Sequence, residues 1–109
     1  MCHCTECRRW AGHAWAATDA LFDEVRFTEE RGLRWIDSPD SEYDARRGFC
    51  AECGSGLFWQ VPGSDRVSIA AGCLDPPTGI TTVRQIWVDS VGDYYEIDER
   101  IPSQPRGGG

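Results

Sequence analysis

The chain has 109 residues with 40% hydrophobic and 11% aromatic content, enough for one domain with a modest core and short for two. Its 11 basic and 18 acidic residues leave a formal charge of -7, which argues against the basic footprint of a general nucleic-acid binder. Every basic residue is arginine, so Schiff-base lysine chemistry is excluded as well.

In chain order, the sequence opens on Cys2, Cys4 and Cys7, with Arg8 and Arg9 directly behind them. An extended C-x-C leading into a helical turn over 7–10 would let the three sulfurs converge, which no single helix face allows at spacings of two and three. Strand-like runs follow at 13–18, 24–28, 33–36, 56–61, 66–71, 83–88 and 93–97, with a second helical turn expected at 19–23. Turn material separates them: Arg31-Gly32, residues 37–42, 62–65 and 75–79, where Asp75 reads as a turn former before Pro76. No solenoid repeat and no long amphipathic helix is present. The pattern predicts a mainly β single domain over residues 1–102 and a flexible tail over 103–109, "SQPRGGG". No stretch approaches the ~18 apolar residues of a membrane span and the N-terminus lacks the apolar run of a secretory signal, so the expected location is cytoplasmic, with no membrane partner.

Clustered cysteines in a reducing compartment point to metal ligands or reactive thiols. Three thiolates on a zinc ion leave the fourth tetrahedral position for water or substrate, the open arrangement of a catalytic site. Such a site carries a charge of about -1, so it activates water poorly and suits holding an incoming thiol as a thiolate nucleophile. Arg8 and Arg9 could offset that charge and receive a substrate carboxylate. Further along, Cys50-Ala51-Glu52-Cys53-Gly54 has the shape of a zinc knuckle, with the glycine free to adopt the positive φ of the tight turn. A knuckle supplies two ligands only.

Other readings stand beside these. Cys50 and Cys53 could be a reduced buried pair or a redox C-x-x-C, and in an exported protein six cysteines could form three disulfides. His3, between two ligand cysteines, should point away from their metal and lie at the surface or beside the site. His13 reads as packed or solvated, and Cys73 as a bystander thiol with a lesser chance of being a replacement ligand. The five tryptophans, Trp10, Trp15, Trp35, Trp59 and Trp87, read as core more than as a stacking surface.

The segments "CHCTECRRWAG", "RRGFCAECGSGLFW", "IAAGCLDPP" and "RQIWVDSVGDYYEID" resemble the glutathione-dependent formaldehyde-activating enzyme family, which shares its fold with the centromere protein V group. The resemblance runs from about Cys2 to Pro102. It implies an Mss4-like fold, a β-sandwich or β-tent of short antiparallel strands, carrying two zinc ions. Catalytic zinc would sit on Cys2, Cys4 and Cys7, with Cys4 the ligand best placed to leave the metal or meet the substrate thiol. Cys50 and Cys53 would give half of a structural zinc site. The implied reaction is a carbon-sulfur lyase reaction in reverse, joining glutathione and formaldehyde as S-hydroxymethylglutathione. The family's first C-x-C lies upstream of these segments, so the chain reads as truncated at its N-terminus, and as one that could be inactive. Two structural-zinc ligands are then missing, with a homodimer as one source of replacements. Gln85 stands where the family often has histidine, and Tyr94 or Tyr95 where it has tryptophan. A different class of function is a non-catalytic, zinc-stabilised protein-binding module on the same fold, which a large exposed tryptophan patch would favour.

Overall fold

The computed structural model describes residues 1–38 and 43–107; most of the turn expected over 37–42, and the last two residues of the expected tail, lie outside the described residues. The chain is mainly β and folds as two compact units, Ala17–Cys73 and Met1–Ala16 with Leu74–Gly109.

The unit Ala17–Cys73 is a five-stranded antiparallel sheet built from β1 (Ala17–Leu21), β2 (Leu33–Asp37), β3 (Arg46–Cys50), β4 (Gly56–Gln60) and β5 (Arg66–Ala70) in the order β1-β5-β4-β3-β2. β2, β4 and β5 fall where the alternation puts them. No strand is expected at β3, because "RRGFC" carries a glycine and no regular alternation. The structure explains that glycine. Trp35 pairs with Gly48 and Gly48 with Phe58, and the two rings stack with centroids 5.7 Å apart across β3. A Cβ at Gly48 would stand 3.0 Å from Phe58 Cδ2 and 3.2 Å from Trp35 Cζ3, so the stack depends on its absence.

Two local expectations in this unit are overridden by packing. Residues 19–21 belong to β1 instead of a helical turn, held by pairing with β5 and by a 2.9 Å hydrogen bond from Ser68 to the Asp19 carboxylate; only Phe22–Glu24 forms a 3-10 turn. The alternation in 24–28 makes no strand. Phe27 instead sets its ring against Phe22 and Phe58, at 6.1 and 5.7 Å between centroids. Val67, Ala45 and Ala70 are buried, while Gln60 is buried with its carbonyl oxygen accepting two bonds from Arg46 at 2.6 and 3.0 Å.

The other unit is held by short bridges around its first residues. Cys2 exchanges backbone hydrogen bonds with Trp15 at 2.9 Å in both directions, and the amide of His3 donates to Ile86 at 3.0 Å. The runs 83–88 and 93–97 therefore yield single bridges at Gln85 and Ile86 and none at 93–97, where Tyr94 and Tyr95 pack edge to face over the buried Gly92. The expected flexible tail is docked as far as Arg106: Gln85, Trp87, Val88 and Asp89 donate backbone bonds to residues 102–106. Among the described residues no helix is long and apolar enough to cross a membrane.

Candidate metal centre

The first cluster is built on the start of helix α1 (Thr5–Ala11). Cys4 is its N-cap, extended at φ -65 and ψ 158, and its sulfur accepts the amide of Cys7 at 3.4 Å. That contact returns the chain on itself, so Cys7, in the first turn and 4% exposed, comes back towards Cys2 and Cys4. Glu6 near the start, Arg8 and Arg9 near the end, and the left-handed Gly12 cap suit the helix dipole and stop the helix after two turns. The expected helical turn at 7–10 thus lies inside α1, which starts two residues earlier and ends one later.

The Sγ atoms of Cys2, Cys4 and Cys7 lie within 4.8 Å of one another, and no fourth His, Cys, Asp or Glu joins them among the described residues. Tetrahedral zinc with Zn–S of ~2.3 Å wants sulfurs about 3.8 Å apart, so an ion needs only small side-chain adjustments to fit. Without a cation the thiols crowd each other. Cys2 is pushed well above its ordinary value, first by its hydrogen bond with Cys4, then by Cys7 and by burial. A bound cation reverses that logic, because it favours the thiolates that the bare cluster disfavours.

The residues around the cluster are fixed more firmly than the sequence suggests. His3 does not join the three sulfurs, and of its two expected places, at the surface or beside the site, the surface is excluded by its 1% exposure. Its Nε2 is 2.9 Å from Gln85 Oε1 and its Nδ1 is 2.8 Å from the Tyr95 hydroxyl. Gln85 Nε2 donates to the carbonyls of Asp98 at 2.9 Å and Ile101 at 3.4 Å, which leaves Oε1 facing the ring. In the neutral imidazole Nε2 therefore carries the proton and Nδ1 accepts from Tyr95. Sequence reasoning misses this network, although a residue between two inward-facing cysteines on extended chain has to face the opposite side, and Gln85 alternates with Arg84 and Ile86 in the same way.

Arg8 and Arg9 differ. Arg8 Nε donates to the carbonyls of His3 at 3.2 Å and Ser90 at 3.0 Å, tying the C-x-C to the turn Val88–Ser90. Arg9 is exposed, and no hydrogen bond or ion pair engages it among the described residues. His13 is exposed, with its ring 4.2 Å from that of Tyr95.

The second group lies in the sheet unit. Cys50 ends β3, and the turn after it closes through Gly54, whose φ of 79 is the positive value the knuckle shape asks for. Cys53 is exposed, 3.1 Å from the Ser55 hydroxyl; that bond, then the backbone of Ser55 and then Cys50, lower its thiol from the ordinary value. Cys73 is exposed too and donates to the Gly56 carbonyl at 3.4 Å. Asp75 is exposed and joins neither group. None of the five tryptophans is exposed: Trp15 is buried and the rest are half-buried.

The sequence profile described as "Glutathione-dependent formaldehyde-activating enzyme" matches residues 1–90. No curated protein matches the chain.

Proposed function

From the premise that the chain belongs to the glutathione-dependent formaldehyde-activating enzyme family, we propose that it joins a thiol such as glutathione to formaldehyde or a related aldehyde, as a carbon-sulfur lyase working in the direction of synthesis. Cys2, Cys4 and Cys7 would hold the zinc ion of the reaction. Bound there, zinc would supply a Lewis-acidic fourth position that lowers the pKa of an incoming thiol.

The chain's own residues account for the rest. The hydrogen-bonded cap at Cys4 and the bridges at Cys2 hold the sulfurs in place before any ligand arrives, so little reorganisation remains at the moment of reaction. Arg9, exposed and unengaged among the described residues, can take a carboxylate of the thiol substrate, while Arg8 positions the loop beside it. In the reaction the substrate sulfur forms a bond to the aldehyde carbon, the carbonyl π pair moves to oxygen, and that oxygen takes up the proton the thiol gave up. No oxidant or reductant is consumed.

The single observation that carries this reading is the gathering of three sulfurs with no fourth protein ligand among the described residues. The absence of an exposed tryptophan removes the feature that would have favoured a non-catalytic binding module. Magnetisation-transfer NMR of the zinc-loaded protein with glutathione and formaldehyde should show adduct exchange faster than the spontaneous reaction. Exchange at the spontaneous rate, with the metal verified in place, would rule out this chemistry for this substrate pair.

A further inference from the structure

The sheet unit holds a pair of thiols that the chemistry at Cys2, Cys4 and Cys7 does not use. Cys50 ends β3 and Cys53 follows three residues on, in a turn that the Gly54 amide shuts by donating to the Cys50 carbonyl at 2.6 Å. A turn closed this tightly puts its first and fourth Cα atoms within about 7 Å and faces their side chains the same way, which is the reach of a disulfide. Both cysteines are reduced, and of the groups that act on the Cys53 thiol, Ser55 comes first and Cys50 follows.

The two sulfurs are not equivalent. Cys53 is exposed, and its sulfur is 3.1 Å from the Ser55 hydroxyl, a donor that can hold it as a thiolate. Cys50 is half-buried. A Cβ built on Gly32 would stand 3.1 Å from its sulfur, so that sulfur lies close against the chain at Gly32, whose carbonyl takes the Ala51 amide at 2.7 Å. Cys73 is exposed like Cys53, but it donates to the Gly56 carbonyl at 3.4 Å, an acceptor that favours the protonated thiol.

We propose that Cys50 and Cys53 form a thiol-disulfide exchange site for small disulfides such as glutathione disulfide, with Cys53 the attacking thiol and Cys50 the resolving one. The Cys53 thiolate, its proton released to solvent, forms a bond to one sulfur of the small disulfide; the S–S bond there breaks and the other sulfur leaves as a thiolate. Cys50, deprotonated in turn, attacks the Cys53 sulfur of the mixed disulfide and expels the second thiolate. The protein pair is thus oxidised by two electrons, and the small disulfide is reduced to two thiols that take up the two protons. This activity is independent of the reaction proposed for the first cluster.

The test incubates the zinc-loaded full chain with oxidised glutathione, quenches with acid and then N-ethylmaleimide, and maps the products by mass spectrometry. Trypsin cleaves after Arg47 and Arg66, so residues 48–66 carry Cys50 and Cys53 apart from the other four cysteines. That peptide should lose two hydrogens and take no maleimide, and excess reduced glutathione should reverse the change. Cys50→Ser should stop at the mixed disulfide, with one glutathione on Cys53. Cys53→Ser should take up glutathione on Cys50 at least about tenfold more slowly, because the resolving sulfur is shielded. Two maleimides on residues 48–66 at every exposure, glutathione retained on Cys53 of the unaltered chain without closure, or equal uptake by the two serine variants would each overturn the proposal.

Discussion

The two cysteine groups differ in how far the fold gathers their sulfurs. In the first, C-x-C-x-x-C lies within six residues, and one capped helix turn brings all three sulfurs together with Cys7 buried. In the second, a turn holds Cys50 and Cys53 near each other, with Cys53 exposed and also bonded to the Ser55 hydroxyl, while the exposed Cys73 donates to the Gly56 carbonyl. A preformed site of high local charge suits chemistry, because its reorganisation is already complete.

Removing one cysteine from each group probes that contrast most strongly. Cys7→Ala should lower metal affinity at the first cluster by more than about a thousandfold, because a binding energy of ~10 kcal/mol or more is shared by few ligands, and adduct exchange should vanish with it. Cys53→Ala, outside that cluster, should leave metal affinity there and adduct exchange nearly unchanged. If the two variants were to exchange these phenotypes, the contrast would be reversed. Metal analysis with NMR exchange on both proteins decides it.

Next in size is the support behind the first cluster. His3→Ala leaves Gln85 Oε1 and the Tyr95 hydroxyl without their buried partner, and should cost about 2 to 4 kcal/mol in urea denaturation of the metal-free chain. It should also lower metal affinity about 10- to 100-fold, as loss of groups that orient ligands does. Unchanged stability would mean the network is replaced by water.

The legibility of the sequence follows the same division. Local spacing displays the first cluster, since every residue that makes it lies between Cys2 and Cys7, and the strands β2, β4 and β5 show in plain alternation. What stays hidden depends on residues far apart in the chain. The sequence alone does not say that Gly48 exists for a Trp35–Phe58 stack, or that His3 will find Gln85 and Tyr95 more than 80 positions away. Arg8 reads as a substrate ligand because it follows the cysteines, while its Nε is bound to two backbone carbonyls. Residues 19–21 of β1 and the run 24–28 go astray for a related reason: pairing with β5 and packing on Phe58 outweigh local preference.

Smaller effects sharpen the account of the first cluster. The folded, metal-free chain keeps the Cys2 proton above the ordinary thiol value of 9.0, where the unfolded chain has lost it. The raised folded value means that this contribution to stability is complete below pH 9 and declines as pH rises past it, by up to about 1.4 kcal/mol per pH unit. Metal binding must displace the same proton, so affinity at the cluster should rise with pH across the neutral range. Denaturation and metal titration at several pH values check both signs. Smallest of all, Arg9→Ala should raise KM for a carboxylate-bearing thiol several-fold with kcat unchanged, and the effect should disappear with a thiol lacking a carboxylate.

The central claim is that Cys2, Cys4 and Cys7 hold an ion with a position left for a thiol. Titrating glutathione, without aldehyde, into the cobalt-loaded protein tests it most directly. The account predicts a saturable rise in thiolate-to-cobalt charge-transfer absorbance that Cys4→Ser abolishes; no rise at saturating glutathione, or the same rise in Cys4→Ser, would contradict it.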